Sequence, residues 1–340
     1  MNAKADLLEP LVDRFGRVHR SLRISVTDRC NIRCQYCMSD GPVRFLPKSR
    51  LLSFEQITRF AAAAVSLGIR RVRLTGGEPL VRAELCELVG QLKAIPGIEQ
   101  LALTTNGMLL PDQAPLLAAA GLDRVNISLD TLREETFREL SRREGIDRVI
   151  NGIDAAVRCG LAPRLNALVL RDVNFAEAAE LVEFALARSL TIRFIEFMPL
   201  DADRGWEASR VVTGEELRAE LERRIGRLQE VSPERPSQPS RDYRVANSAG
   251  IVGFIDPVSR PFCGDCDRLR LTAEGRVRNC LFGREEWDAK AVLDRSLPAA
   301  EESRELVRLL RSAVAAKHAS HGIAEAGFAP PERAMYQIGG

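Results

Sequence analysis

Three cysteines fall within eight positions of the segment RCNIRCQYCMSD, residues 29–40. Cys30, Cys34 and Cys37 have the spacing C-x3-C-x2-C. Three thiolates so placed can wrap one face of a metal centre. A structural zinc ion would want a fourth ligand, but the chain has only three histidines and none is near. A [4Fe–4S] cluster accepts thiolates readily, and three of them leave one iron open to a substrate or cofactor. The flanking Asp28, Arg29, Asn31 and Arg33 are polar, which speaks against unliganded core thiols. A second trio, Cys263, Cys266 and Cys280, follows as C-x2-C-x13-C in FCGDCDRLRLTAEGRVRNCL. It reads as a second cluster with an open iron, or as a structural zinc site with a remote fourth ligand. Cys86 and Cys159 sit in helical surroundings and read as small core residues.

The 340 residues carry a formal net charge of +2, with 45% hydrophobic and 28% charged residues. That balance fits a globular chain with a sizeable core. It excludes a whole-molecule field for a nucleic-acid polymer, so any basic site must be local. The start MNAKADLLEP has no apolar signal core. The most apolar stretch, FAAAAVSLGI, is about half of the ~20 residues a membrane span needs. A cytoplasmic location without a membrane partner is therefore expected, where clustered cysteines are metal ligands or redox groups rather than disulfides.

The elements that must position these groups alternate. Strand-like runs lie at 22–26, 71–75, 100–105, 124–129, 164–170 and 192–198, with helical stretches between them. Ser53 with Gln56 forms a capping box that opens a helix closed by Gly68, and Thr131 with Glu134 is expected to cap another. Six strands separated by helices imply parallel pairing with right-handed crossovers. Polar and glycine-rich residues gather where these strands end: the first trio, Gly76-Gly77-Glu78-Pro79, the segment 104–107, Ser128 and Asp130, with Asn166 inside the fifth strand and Met198 ending the sixth. One mouth at the C-terminal ends of the strands is the economical arrangement. After residue 198 the rhythm breaks. VSPERPSQPSR, residues 231–241, reads as a flexible linker or exposed loop. Short strand candidates GIVGFI, RLRLT and RVRNCL follow, then a helix around 299–317. We expect a core at 1–230 and a C-terminal region at 231–340 holding the second trio and the Gly-Gly tail. No internal repeat is seen beyond the β/α rhythm.

The first trio, with Tyr36 before its last cysteine, resembles the radical S-adenosylmethionine (SAM) enzymes, and TGGEP at 75–79 resembles their segment for the SAM amino group. Paired glycines allow close backbone approach, and Glu78 would add a carboxylate for a cation. The match tightens over nearly the whole chain. LRISVTDRCNIRCQYCM, RLTGGEPLVR, TTNG, NISLD, FIEFMPL, CGDCDRLRLTAEGRVRNCL and the terminal Gly339-Gly340 are together similar to the GTP 3′,8-cyclases of the MoaA type. These are lyases that open molybdenum cofactor (molybdopterin) biosynthesis.

The resemblance implies an α/β fold: an incomplete (β/α)6 TIM-like barrel whose open side is closed by a smaller C-terminal α+β region. It implies two [4Fe–4S] clusters, one on Cys30, Cys34 and Cys37 and one on Cys263, Cys266 and Cys280, at the two ends of one cavity. SAM would meet Tyr36, Gly77, Glu78, Ser128 and Met198. GTP would meet Arg23, Arg71, Arg73, Thr104, Arg164, Arg268, Leu269 and Arg270. Arginine's planar fork suits phosphate oxygens, and Arg71 and Arg73 share one strand face. The family commonly has lysine at the positions of Arg71 and Arg164. Arg268 and the tail Gly339-Gly340 would serve catalysis, the tail entering the cavity near the arginines. A 5′-deoxyadenosyl radical would take hydrogen from ribose C3′, and the ribose radical would attack guanine C8. Reduction would then give (8S)-3′,8-cyclo-7,8-dihydroguanosine 5′-triphosphate. An electron donor and a downstream enzyme forming cyclic pyranopterin are implied partners, and the chain would be a monomer or homodimer. The rival readings are a radical SAM peptide-modifying maturase with an auxiliary cluster, and a non-catalytic metal-binding module.

Overall fold

β-Strands 1 to 6 run Ser21–Ser25, Arg71–Thr75, Gln100–Thr105, Arg124–Ser128, Arg164–Val169 and Thr191–Glu196 in the computed structural model. It describes residues 8–246, 248, 250–323, 325 and 327–339. These six, β1 to β6, are neighbours in chain order and all pair in parallel. β7 (Leu228–Val231), β8 (Arg241–Val245) and β9 (Ile251–Ile255) form an antiparallel meander. β10 (Arg268–Leu271), β11 (Arg276–Arg278) and β12 (Trp287–Asp288) follow. The sheet order is β12-β11-β10-β1-β2-β3-β4-β5-β6-β9-β8-β7.

The C-terminal chain therefore does more than cover an open side. β10 adds in parallel to β1 and β9 adds in parallel to β6, lengthening the parallel sheet at both edges. No ladder joins β7 to β12 among the described residues, so the sheet stays open. The expected break at 230/231 falls inside β7, and 231–241 is no spacer. Its Gln238 and Ser240 are buried, tied to each other and to Asp242, while Arg235, Ser237 and Pro239 line the cavity. The prolines make a folded turn there because polar side chains satisfy the backbone.

Alternation along the strands separates two faces. Leu22 and Ile24 of β1, Val72 and Leu74 of β2, and Leu269 and Leu271 of β10 enter one hydrophobic core under the helices. The intervening residues face the cavity. The Ser53–Gln56 capping box forms on the helix Phe54–Ser66, and Gly68 follows at φ +93°. The second expected cap differs. Thr131 Oγ1 accepts from Arg133 N at 3.0 Å and donates to Glu177, whereas Glu134 accepts from Gly145 N and Ile146 N at 2.9 and 3.0 Å. Glu134 thus satisfies the free N–H groups of the next helix, Ile146–Arg158, instead of its own. No helix among the described residues is long and apolar enough to cross a membrane.

Candidate functional site

A cavity of about 380 Å³ opens on the polar face of the sheet. All six trio cysteines line it. The topology explains their placement. Cys263 and Cys266 precede β10, whereas Cys30, Cys34 and Cys37 follow β1, and β1 and β10 are parallel neighbours with Ser21 opposite Arg268. The trios therefore lie at opposite ends of one strand pair, roughly 15–20 Å apart at ~3.3 Å per residue.

Between them stands a row of cations. Arg23 pairs in register with Arg270 on one side and Arg73 on the other. Arg268 and Arg71 flank Ser21 one step nearer the second trio. Neither Arg23 nor Arg73 has a carboxylate within ion-pair distance among the described residues. Burial pushes Arg23 down to about 9, helped by Arg268. Burial, then neighbouring guanidinium groups, hold Arg73 and Arg270 well below the ordinary arginine range. Cations this crowded and desolvated require an anion. Others in the cavity are already paired: Arg71 with Asp267 at 2.5 Å, Arg164 with Glu234 at 3.0 Å and Arg193 with Asp242 at 2.9 Å. Burial lowers Arg164 to about 10. Thr104 Oγ1 is buried without a partner among the described residues on the adjoining row, where Thr104, Asn126 and Arg164 are register neighbours. Arg124, Arg193, Arg235, Asn126 and Asn166 also line this region. Except for Asn166 these escaped the sequence reading, although a single arginine inside the apolar run IRFIEFM was a signal for Arg193.

The first trio sits on a loop fastened at several points. Arg33 N and Gln35 N donate to the carbonyls of Ser141 and Leu140 at 2.9 Å, and Cys37 N donates to Cys34 O at 2.9 Å. Burial pushes the Cys30 and Cys37 thiols up to about 12, and Cys34 well above its ordinary range. Thiols of this kind give up their protons only to a strong cationic centre. A trio of thiolates suits an iron–sulfur cluster. Among the described residues, no three His, Cys, Asp or Glu gather closely enough for a single metal ion. At the second trio burial also opposes the Cys266 thiolate, but Arg268 and Lys317 outweigh it and bring the thiol down to about 6. Burial raises Cys263. Both donor sets fit the groups the resemblance implies.

The residues expected at SAM divide. Tyr36, Gly77, Ser128 and Met198 line the cavity. The Tyr36 hydroxyl donates to Asp130, whose other oxygen accepts from Leu168 N at 2.8 Å. Gly76 and Gly77 are needed because the TGGEP segment packs on the cysteine loop. A Cβ on Gly76 would lie 2.4 Å from Thr27 O, and one on Gly77 2.5 Å from Arg29 O. Glu78 does not reach the cavity. Its Oε1 accepts from Leu80 N at 3.0 Å and Thr105 Oγ1 at 2.8 Å, and its Oε2 from Asn106 N at 2.7 Å. It ties two loops together, and burial raises its carboxyl to about 7. Leu269 alternates with Arg268 and Arg270, so its side chain lies in the core away from the cavity. Gly339 enters beside Ser25 and Thr75, and its carbonyl accepts from Arg270. Gly340 lies outside the described residues. Cys86 and Cys159 stand apart from both trios, Cys159 packing on the core.

Comparison with known proteins bears on the family of the chain. Residues 24–185 match the radical SAM superfamily model, and residues 190–323 match the model described as Molybdenum Cofactor Synthesis C. The chain is 49% identical to the GTP 3′,8-cyclase of Rhodopirellula baltica, over 97% of this chain and 92% of that one. It is 45% identical to the GTP 3′,8-cyclase of Rhodococcus opacus, over 98% and 94% of the two chains. Among solved structures, Streptococcus suis SuiB bound to S-adenosylmethionine superposes with a TM-score of 0.59 at 15% identity, over 88% of this chain and 69% of that one. That likeness concerns the fold. The sequence relatives go further, and with them this chain belongs to the GTP 3′,8-cyclase family of radical SAM enzymes.

Proposed function

We propose that the chain converts GTP to (8S)-3′,8-cyclo-7,8-dihydroguanosine 5′-triphosphate, a lyase reaction opening molybdenum cofactor biosynthesis. The observation that carries this reading is the single cavity bounded by two cysteine trios with the Arg270–Arg23–Arg73 row between them. Cys30, Cys34 and Cys37 would hold the cluster that binds SAM, and Cys263, Cys266 and Cys280 a second [4Fe–4S] cluster. When bound, the first cluster would supply an electron to SAM, and the second would help to orient the guanine ring. The protein's own part is orientation and exclusion of water. Arg23, Arg73 and Arg270 would neutralise the triphosphate, with Arg71, Arg164, Arg193 and Thr104 around it. A triphosphate there would set the ribose between the trios, which suits transfer of hydrogen from C3′. Gly77, Ser128, Met198 and the Tyr36 ring would surround SAM. The Gly339 carbonyl would hold the Arg270 guanidinium in place, and Arg268 would set the substrate against the second trio. Residues 1–230 would form the core region and 231–340 the region bearing the second site, although their strands share one sheet.

The peptide-maturase reading gives the arginine row no role, and a non-catalytic module gives none to the cavity. Substituting Cys263, Cys266 or Cys280 by serine tests the assignment in the anaerobically loaded chain. SAM binding should persist while cyclisation is lost. Wild-type product yield from such variants would remove the second site from the reaction.

A further inference from the structure

Lys317 is the one lysine among the described residues that is nearly fully buried, 3% exposed. It follows the helix Ala299–Ala315 and reaches the second trio. Its Nζ donates to Asn279 O at 2.7 Å and to Arg268 O at 2.9 Å, and lies 3.6 Å from Cys266 Sγ. Those partners are significant by position. Asn279 immediately precedes Cys280, and Arg268 is two residues beyond Cys266. One ammonium thus joins the two separate segments that bring Cys266 and Cys280 together.

The lysine is itself held. Arg17 donates to His318 O at 2.7 Å and Ala319 O at 3.1 Å, and to Cys263 O at 2.7 Å. Asp13 fixes the Arg17 guanidinium at 2.6 Å. An N-terminal arm, residues 11–19, therefore clamps the turn after the long helix to the remaining cysteine of the trio. All three cysteine segments are tied to one buried pair of cations.

We propose that Lys317 is the positioning residue of the second iron–sulfur site: it fixes the Cys266 and Cys280 segments and sets the cluster's redox poise through its charge beside the Cys266 sulfur. This rests on the reading of Cys263, Cys266 and Cys280 as cluster ligands. Iron–sulfur potentials follow net charge and hydrogen bonds to sulfur, and groups outside the ligand set orient the ligands. A cation at the sulfur favours the reduced, more negative cluster. Three hydrogen-bonding protons match the three acceptors Lys317 meets, and a neutral side chain in the same space would leave two carbonyls unpaired.

The test is iron and sulfide analysis of anaerobically reconstituted full-length wild type, K317M and K317R, with a redox titration of each cluster followed by electron paramagnetic resonance. Wild type should hold about eight irons for two cubanes. K317M should either fall to about half that iron, or keep it with the second cluster's potential moved lower. In both cases the first cluster and its response to SAM stay unchanged, which also reports that the chain is folded. K317R, which keeps the charge, should hold the wild-type potential. A K317M chain with full iron and an unmoved second potential would overturn the proposal, as would a K317R chain shifted as far as K317M. Wild type with only about four irons would instead overturn the reading of the second trio, and the role of Lys317 with it.

Discussion

Arg23 and Arg73 face each other in register on adjacent parallel strands, two half-buried guanidinium groups with no carboxylate in ion-pair range among the described residues. Like charges placed so are unfavourable in the empty protein and favourable only around a polyanion. Arg73→Met should therefore move two quantities in opposite directions. The empty chain should gain about 1–3 kcal/mol of stability. GTP affinity should fall roughly 10- to 150-fold, the worth of one charged hydrogen bond of ~1.5–3 kcal/mol. Urea unfolding and equilibrium binding of GTP against guanosine separate these, since guanosine binding should hardly change.

Gly77→Ala should cost the first cluster and spare the second. The added methyl would meet the Arg29 carbonyl at 2.5 Å and the Asp28 carbonyl at 2.8 Å. Those are backbone atoms of the cysteine loop and cannot yield without moving Cys30. Iron should drop to about half of the wild-type content, and the second cluster's spectroscopic signature should remain. Full iron with normal SAM binding would show that the loop tolerates the shift.

Glu78 is predicted to be structural. Glu78→Ala leaves Leu80 N, Asn106 N and the Thr105 hydroxyl without their acceptor. Each buried donor so exposed costs about 1–3 kcal/mol before relaxation, so a loss of about 2–5 kcal/mol is expected. Glu78→Gln should recover part of it, because the amide oxygen still accepts. Denaturant midpoints check this. A variant of unchanged stability that loses only SAM affinity would return Glu78 to the ligand.

His19 carries a pH dependence. Burial first, and then Lys317, lower its pKa to about 4 from the ordinary 6.5. The folded state keeps the imidazole neutral while the unfolded chain takes up a proton below 6.5. The unfolded state then binds more protons, so stability is full above that pH and falls as pH drops from about 6.5 to about 4. The loss saturates at about 3 kcal/mol, at 1.36 kcal/mol per unit. Urea midpoints at pH 7 and pH 5 should differ more for wild type than for His19→Gln.

Much of this architecture is local in the sequence. The runs RVRLT and QLALTT coincide with β2 and β3, and the others differ at their ends by a residue or two. Alternation also put Arg71 and Arg73 on the cavity face. What could not be read was non-local. Nothing near RLRLT or GIVGFI says that they join opposite edges of the same sheet, since RLRLT pairs with β1 near the other end of the chain and GIVGFI with β6 across the intervening β7 and β8. Glu78 and Leu269 were placed by motif, yet the donors around Glu78 and the alternation of β10 turn both away from the cavity. Thr131 looked like a cap because its spacing from Glu134 was right, but Glu177 competes for its hydroxyl. Lys317 gave no signal, because its partners are backbone carbonyls distant in sequence.

The most direct test of the central claim is the fate of one hydrogen. Anaerobically loaded protein, supplied with SAM, a reductant and GTP deuterated at C3′, should yield 5′-deoxyadenosine carrying that deuterium together with the 3′,8-cyclised nucleotide. Deoxyadenosine without deuterium, or formed at the same rate when GTP is absent, would contradict a nucleotide held between the two trios.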